Sequence, residues 1–252
     1  PILWAGQGVL YAEASEEIAE LAELVPAPVM MTNPGKSAIP ENHPLSLGGS
    51  TKSRPRTVSE FMDRADLVFA IGSSLTITNF GPKVPPGKKI VHSPNDPSDI
   101  NKDYRADHAV IGDAKMVAKA LIAEIKNQRG AADAKAVQAL KDDIATVKAS
   151  WIADWQVHRT SDEVPINQYR VIQGLMDTLD RDNVIMTHDS GSPREQMMSS
   201  WESTAAGSYM GWGKSTQLGY GLGINLGAKL AAPDKICINV MGDAAIGMTG
   251  MD

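Results

Sequence analysis

The sequence predicts an α/β protein with two parallel-sheet domains that carry helices on both faces. Two observations lead to this fold class: short continuous apolar runs alternate with segments of helical periodicity, and glycine-rich turns follow several of the runs. Strands of a parallel sheet are buried on both faces and therefore have continuous rather than alternating apolar residues. The alternation stops near residue 150 and starts again, which predicts the second domain.

The first domain is predicted over residues 1–128, and the order of its elements is that of a Rossmann-like domain. Its strands are predicted at 2–5, 28–32, 67–71, 89–92 and 109–111. Its helices are predicted over residues 15–24, 57–65 and 115–126. Gly6 and Gly72 each follow a predicted strand, at the carboxyl edge where such sheets bind ligands. The elements of this domain therefore point to one ligand-binding edge.

Residues 129–165 are rich in alanine and charge but sparse in apolar positions, which predicts a partly exposed connecting helix and linker. The second α/β unit is predicted over residues 166–252. It has helices at 168–179 and 216–231, strands at 183–187 and 235–241, and a polar turn after the first of these strands.

The composition excludes some classes of function. The net charge of −6 disfavours binding to nucleic acid, because phosphate backbones select a basic surface. No apolar run reaches the roughly 18 residues that a membrane-spanning helix needs. The single cysteine, Cys237, lies in an apolar strand and cannot form an internal disulfide, so we expect it in the core of a cytoplasmic protein.

Three glycines of the helix predicted over residues 216–231, Gly219, Gly223 and Gly227, are spaced four residues apart. This spacing places them on one side of a helix, where each glycine costs roughly 1 kcal/mol relative to alanine. We therefore predict that a helix, a strand or a ligand lies too close to this face for a Cβ atom.

The last residues of the chain, "INVMGDAAIGMTGMD", place Gly242 and Asp243 directly after a buried strand. Small residues after a strand leave backbone N–H groups uncovered, and such turns bind anions. Asp243 would repel a bare phosphate, but Mg²⁺ can join a carboxylate to phosphate oxygens. The pattern predicts a metal-bridged diphosphate, and a plain helix-initiating turn is the alternative.

The turn "HDSGSPREQ" follows the strand predicted over residues 183–187, and its short polar residues Asp189, Ser190, Gly191 and Ser192 suit ligand contacts or a plain turn equally. His188 precedes them, and we expect a hydrogen-bonded structural role for it. The histidines form no metal-binding spacing. A basic loop over residues 51–56 is either a solvated loop or a contact for a phosphate-bearing ligand.

Three stretches taken in order resemble the thiamine-diphosphate-dependent enzymes of the acetolactate synthase, 2-oxo-acid decarboxylase and acyl-CoA lyase superfamily. "ADLVFAIGSSL" with "KKIVHSPNDPSDINKDYRADHAVIGDAK" is similar to the central domain of that superfamily. "MGWGKSTQLGYGLGINLGAKLAAPDK" resembles the segment that holds the thiazolium region of the cofactor, and "INVMGDAAIGMTGMD" resembles the start of its diphosphate motif.

The resemblance implies a role for eight residues and no catalytic residue. Asp243 matches the aspartate that binds Mg²⁺, and Gly242, Ala244 and Ala245 surround it where backbone amides would reach the diphosphate, although Ala244 replaces the usual glycine. Leu218 matches the apolar residue that supports the bent cofactor. The remaining matches are Gln217 at a cofactor contact and Gly191 with Ser192 in a loop beside the diphosphate.

The resemblance further implies a 2-oxo acid or acyl-CoA-type substrate, a homodimer or homotetramer, and an empty, FAD-binding or ADP-binding central domain. It also implies that the chain is truncated, with an inactive partial thiamine-diphosphate-binding domain, because the second metal motif and the domain with the catalytic glutamate lie outside it. Two alternatives stay open: a nucleotide-binding module, for which "AGQGVL" provides only part of the glycine motif, and a non-catalytic relative.

Overall fold

The computed structural model describes residues 1–211 and 217–250, and within them the chain forms two parallel sheets. The first sheet has six strands in the order β3-β2-β1-β4-β5-β6. These strands are β1 (Ile2–Ala5), β2 (Val29–Thr32), β3 (Ser46–Ser50), β4 (Leu67–Ile71), β5 (Lys89–Ser93) and β6 (His108–Ala109). The α/β fold class predicted from the sequence is confirmed.

The helices around the first sheet form two groups. The first group, whose members contact one another, comprises α1 (Gln7–Tyr11), α2 (Ser15–Leu24) and α4 (Ala114–Arg129). The second comprises α3 (Arg56–Arg64) and the long α5 (Ala134–Arg159). The crossover from β1 to β2 contains α1 and α2, and the return from β3 to β4 contains α3. The two connections run in opposite directions across the sheet, so right-handed crossovers place α2 and α3 on opposite faces.

The chain adds strands on one side of β1 up to β3 and on the other side from β4 onward. The order of the strands therefore reverses between β1 and β4, which are parallel neighbours in the sheet. Beyond the carboxyl ends of these two strands the backbones approach closely: a Cβ atom added at Gly6 would lie 2.3 Å from the carbonyl oxygen of Gly72. Gly72 itself has φ of +60°, a conformation that glycine adopts without strain. The glycines after these strands are therefore required by the crossing of two turns at the point where ligands bind in such sheets.

The second sheet has three strands in the order β8-β7-β9. Its strands are β7 (Val184–His188), β8 (Tyr209–Met210) and β9 (Ile236–Val240). Its helices are α6 (Gln168–Thr178), α7 (Ser192–Ser200), α8 (Tyr220–Ala231) and α9 (Asp243–Thr249). Single 3₁₀ turns cover Asn33–Gly35, Pro97–Asp99 and Arg181–Asn183.

A buried ion pair joins the two sheets. Lys36, which is 1% exposed, donates hydrogen bonds from Nζ to both carboxylate oxygens of Glu41, at 2.6 and 2.5 Å. The same ammonium group donates to the carbonyl oxygens of Met198 (3.2 Å) and Trp201 (2.8 Å), at the end of α7. Glu41 in turn accepts the backbone N–H of Ser203 at 2.8 Å. We call these five residues the Lys36 clamp.

The helix predicted over residues 216–231 is shorter than expected. Residue 216 lies outside the described residues, and α8 begins at Tyr220. Gly219 is its N-cap, with φ of +89°, and a Cβ atom there would lie 2.1 Å from Thr249. No atom of the described residues lies within 4 Å of a Cβ atom added at Gly223 or Gly227. No helix or strand of the described residues therefore approaches Gly223 or Gly227, and a ligand against this face stays a prediction.

Cys237 also differs from its prediction, because it is half-buried on β9 rather than in the core. The connecting helix α5 packs against both α3 and α6, and so touches both units. The first sheet lies within residues 1–128 and the second within 166–252, but the domain boundaries themselves stay a prediction. Among the described residues, no helix is long and apolar enough to cross a membrane.

Candidate functional site

The predicted site residues gather at the carboxyl edge of the second sheet, because its parallel strands all end there. Gly191 and Ser192 follow β7 and are exposed, and Ser192 begins α7. Gln217 is exposed and Leu218 is half-buried, directly before the start of α8. Residues 242–245 follow β9 and enter α9. The structure therefore brings all eight residues to one edge.

Asp243 is the first residue of α9, and its carboxylate is exposed. Its Oδ1 accepts the backbone N–H of the next residue, Ala244, at 2.8 Å. Ala245 is 2% exposed and packs inward, so the turn presents one carboxylate flanked by small residues. At both Gly242 and Gly191, an added Cβ atom would meet no atom of the described residues within 4 Å. The space above these turns is open to a ligand.

The donor set fits a diphosphate held through Mg²⁺. Among the described residues, no group of three or more His, Cys, Asp or Glu side chains could hold a metal by itself. Mg²⁺ is commonly bound by only one or two carboxylates, with substrate phosphates and water as its other ligands. A single exposed carboxylate beside small residues at a strand end satisfies that requirement for Asp243.

Asp189, considered from the sequence as a possible ligand contact, instead lies inside the protein. It is fully buried, and its carboxylate accepts the backbone N–H groups of Ser190, Gly219 and Gly221 at 2.8 to 3.2 Å. Its own N–H donates to the carbonyl oxygen of Val240 at 2.9 Å. Asp189 therefore links the ends of β7 and β9 to the start of α8.

His188 has the hydrogen-bonded, buried position expected for it. Its Nδ1 lies 2.9 Å from the carbonyl oxygen of Asp189, and its Nε2 lies 3.3 Å from Oδ1 of Asn33, at the end of β2. Burial lowers the pKa of the His188 imidazole to about 4, so the ring is neutral at pH 7. This histidine connects the two sheets and does not face the open turns.

A cavity of about 350 Å³, which we call the first cavity, lies at the carboxyl edge of the first sheet where the order of the strands reverses. The turns after β1 and β4 line it, together with Thr32 and Asn33 after β2. The basic loop over residues 51–56 does not border it: Arg54 is exposed, and Arg56 forms an ion pair with Asp154 of α5. A contact between this loop and a phosphate-bearing ligand stays a prediction.

Together these features define an α/β protein with an open, carboxylate-bearing turn at the carboxyl edge of its second sheet. The protein-family model described as "Thiamine pyrophosphate enzyme, central domain" matches residues 1–121 of the sequence. The model of the "Thiamine pyrophosphate enzyme, C-terminal TPP binding domain" matches residues 189–252. The chain belongs to the thiamine pyrophosphate enzyme family.

Curated relatives agree with this assignment. The chain is 30% identical to the probable acetolactate synthase large subunit of Methanocaldococcus jannaschii over 100% of this chain and 42% of the relative. It is 29% identical to the probable acetolactate synthase large subunit of Methanococcus aeolicus over 98% of this chain and 43% of the relative. It is 28% identical to the sulfoacetaldehyde acetyltransferase of Roseovarius nubinhibens over 98% of this chain and 44% of the relative. The chain thus spans less than half the length of these relatives.

The sequence patterns did not reveal the Lys36 clamp or the position of Asn33 beside His188. Lys36 and Trp201 are 165 residues apart, and Asn33 and His188 are 155 apart. No local motif links positions at such separation. The one signal in the sequence is that polar residues directly follow the apolar runs of β2 and β7, at sheet edges that face each other in the structure.

Proposed function

We propose that this chain is part of an enzyme that uses thiamine diphosphate and Mg²⁺ to make or break C–C bonds next to a carbonyl group. The observation that supports this is the exposed carboxylate of Asp243 at the end of β9, within the segment that matches the family's cofactor-binding domain. Without a bridging cation, a carboxylate at this turn would repel a diphosphate. The proposal therefore includes the metal as well as the cofactor.

In this proposal each of the eight residues binds or orients the cofactor, and none transfers a proton. Asp243 binds the cation, which neutralises the diphosphate, while the backbone of residues 242–245 and of residues 191–192 lines the anion site. Leu218 would support the cofactor, and Gln217 would contact it. When bound, thiamine diphosphate supplies the electron sink for carbanion chemistry. The protein then contributes orientation, which lowers the entropic part of the barrier.

We further propose an acetolactate-synthase-like carboligase or a 2-oxo-acid decarboxylase. This is supported by two relatives whose names specify acetolactate synthase and by the matches that extend over nearly the whole chain. Other relatives are named as a hydrolase and an acetyltransferase, so the family accommodates other substrates and an acyl-CoA-type substrate is the alternative. A cytoplasmic homodimer or homotetramer, as well as FAD or ADP in the first cavity, also stays a prediction.

The test is to measure binding of thiamine diphosphate calorimetrically, with and without Mg²⁺, in the native protein that carries this sequence at its full length. We expect binding that requires Mg²⁺, and an affinity at least about tenfold weaker in Asp243→Asn because one charged metal ligand is lost. Asp234→Asn is the matched control, since Asp234 is an exposed aspartate before β9, at the opposite edge of the same sheet.

Equal affinity in Asp243→Asn and the unsubstituted protein would exclude the metal role of Asp243. Absence of any Mg²⁺-dependent binding would reject the cofactor itself. Turnover of pyruvate, compared with that of an acyl-CoA, then distinguishes the two substrate classes, and the same titration with ADP and FAD tests the first cavity.

A further inference from the structure

We infer that Asp189 is a positioning residue, which fixes the start of α8 and thereby places Leu218 and Gln217 for the cofactor. This inference rests on the proposed function, because Leu218 and Gln217 matter only if the edge binds thiamine diphosphate. Asp189 is not itself expected to touch the cofactor, since its side chain has no exposed surface. Its action is through the backbone of the chain that leads into α8.

The first step in the argument is that α8 has no capping side chain of its own. Its N-cap residue is Gly219, and the first N–H groups of any helix lack partners within the helix. In most helices a Ser, Thr, Asp or Asn at the N-cap accepts one of these N–H groups. Here Asp189, which is 30 residues away and belongs to the turn after β7, provides the missing acceptor.

The second step is the geometry of that contact. Oδ2 of Asp189 accepts the N–H of Gly219 at 3.0 Å and the N–H of Gly221 at 3.0 Å, while Oδ1 accepts the N–H of Ser190 at 2.8 Å. Both oxygens are therefore used, and all three donors are backbone groups. A carboxylate is an acceptor only, so it matches three donors where an amide side chain would place its NH₂ group against an N–H.

The third step is that the space around this contact is filled. A Cβ atom added at Gly221 would lie 2.6 Å from Oδ1 of Asn239 and 2.7 Å from the carbonyl oxygen of His188. The start of α8 therefore lies directly on the ends of β7 and β9. Since Gly219 has the left-handed conformation and contacts Thr249 of α9, the chain has little freedom to enter the helix by another path.

The consequence concerns Leu218, the residue immediately before this fixed point. A residue that supports a ligand must be held within a fraction of an ångström, and the groups behind it provide that precision. Leu218 is half-buried and adjoins the N–H group that Asp189 accepts. The exposed edge of the site thus depends on a buried carboxylate that does not reach the surface.

The test compares Asp189→Asn and Asp189→Glu with the unsubstituted full-length protein. Asparagine keeps the size but removes one acceptor, and glutamate keeps the charge but moves it by one methylene. In both variants we expect faster amide hydrogen exchange at Gly219 and Gly221, and binding of thiamine diphosphate in Mg²⁺ weakened about tenfold per folded molecule. Asp113→Asn is the matched control, because Asp113 also accepts two backbone N–H groups at a helix start, that of α4 in the first unit.

A double-mutant cycle separates positioning from a general loss of stability. If Asp189 acts through Leu218, Asp189→Asn should weaken cofactor binding about tenfold in the normal background but less than about twofold in a Leu218→Ala background. Additive effects would show that Asp189 does not act through Leu218 and would overturn the inference. Unchanged exchange at Gly219 and Gly221 in the variants would overturn it equally.

If neither variant folds, the unsubstituted protein still decides the question. Gly219 and Gly221 should then exchange as slowly as amides in the interior of α8, and exchange at the rate of an exposed loop would overturn the inference. If the unsubstituted protein binds no thiamine diphosphate, the proposed function fails and with it the stated purpose of the contact. Amide exchange reports separately on whether Asp189 fixes the start of α8, so the two failures are distinguishable.

Discussion

β7, the strand that leads to the candidate site, ends differently from β1 and β2 of the first sheet. In the first sheet, β1 and β2 are buried at every position and consist of apolar residues except for the last, Thr32. In the second, β7 ends in Thr187 and His188, followed by Asp189, and all three polar residues are fully buried. Buried polar groups must be hydrogen-bonded, and here their partners come from the turn after β2, from β9 and from α8.

The apolar cover of the sheets differs as well. Ile71 of β4 is 0% exposed, whereas Ile236 of β9 is 41% exposed and Leu230 of α8 is 85% exposed. Among the described residues, the second unit therefore has the smaller core and depends more on specific hydrogen bonds and on the Lys36 clamp. The comparison teaches that apolar burial holds the first unit together, while polar contacts between distant segments hold the candidate site in place.

The largest expected effect is on the Lys36 clamp. Lys36→Met leaves the carboxylate of Glu41 buried without its cation, so we expect a loss of about 3–5 kcal/mol in the free energy of unfolding. Lys126→Met is the control, because its ion pair with Glu20 is about half exposed and contributes at most about 1 kcal/mol. Chemical denaturation measures both. A loss below about 1 kcal/mol in Lys36→Met would mean that the clamp does not hold the units together.

The next expected effect compares the same side chain in the two sheets. Ile71→Ala removes fully buried methyl and methylene groups and should lower the free energy of unfolding by about 2–5 kcal/mol. Ile236→Ala removes the same atoms from a strand with exposed apolar surface, and we expect about 1 kcal/mol or less. Denaturation curves of the two variants provide the measurement. Equal losses would show that β9 is covered to the same extent in the native protein.

The buried histidine gives the second unit a pH dependence. Because burial lowers the pKa of His188 to about 4 from an ordinary value near 6.5, the unfolded chain binds a proton before the folded protein does. Above about pH 6.5 the neutral His188 leaves the free energy of unfolding at its full value. As the pH falls from there toward 4, the free energy of unfolding decreases by on the order of 2–3 kcal/mol. His188→Gln should flatten the stability profile in this window, as denaturation at several pH values would show. An unchanged slope in the variant would assign the pH dependence to other groups.

Glu202 affects the free energy of unfolding in a lower pH range than His188, so the two effects can be measured separately. Burial raises the pKa of its carboxyl, but Lys148 and Arg181, at 2.6 Å each, outweigh that effect and lower the pKa to about 2. Its stabilising contribution is present above about pH 4.5 and is lost as the pH falls toward 2. Glu202→Gln should therefore leave the slope between pH 6.5 and 4.5 unchanged, which distinguishes it from His188→Gln.

The smallest expected effect concerns two glycines on one helix. Gly223→Ala adds a methyl group to a helix interior where no atom of the described residues lies within 4 Å, so we expect a gain of about 0.5–1 kcal/mol. Gly221→Ala should instead be destabilising, because its Cβ atom would meet Asn239 and the backbone of His188. Thermal unfolding of the two variants tests the difference. A destabilising Gly223→Ala would reveal a close partner for this face in the native protein.

Sequence patterns predicted the elements whose residues identify them locally. The bounds of β1, α2 and β4 agree with the prediction to the residue, since continuous apolar runs and helical periodicity define them. Two strands were missed: β8, which has only two residues, and β3, whose sequence "SLGGS" contains neither an apolar run nor alternation. β3 is a strand because its residues pair with β2 and are buried in the sheet.

In the candidate site, too, the sequence identified the features that depend on neighbouring residues and missed those that depend on distant ones. The turn with Asp243 could be recognised because a buried strand, a carboxylate and small residues are neighbours in the chain. The four-residue spacing of Gly219, Gly223 and Gly227 gives a common helix face but cannot reveal what lies opposite it. Gly219 is the N-cap and approaches Thr249 closely, and a further close approach occurs at Gly221, which the spacing did not indicate.

The sequence alone determined the α/β class, the two sheets and the residues that follow each strand, because these features depend on neighbours within a few positions. Only the tertiary structure decided which of the polar residues face the open edge and which are buried behind it. Asp243 and Asp189 both follow a strand of the second sheet, but one carboxylate is exposed and the other accepts three backbone N–H groups. That difference depends on the path of α8, which the packing of the distant segments fixes.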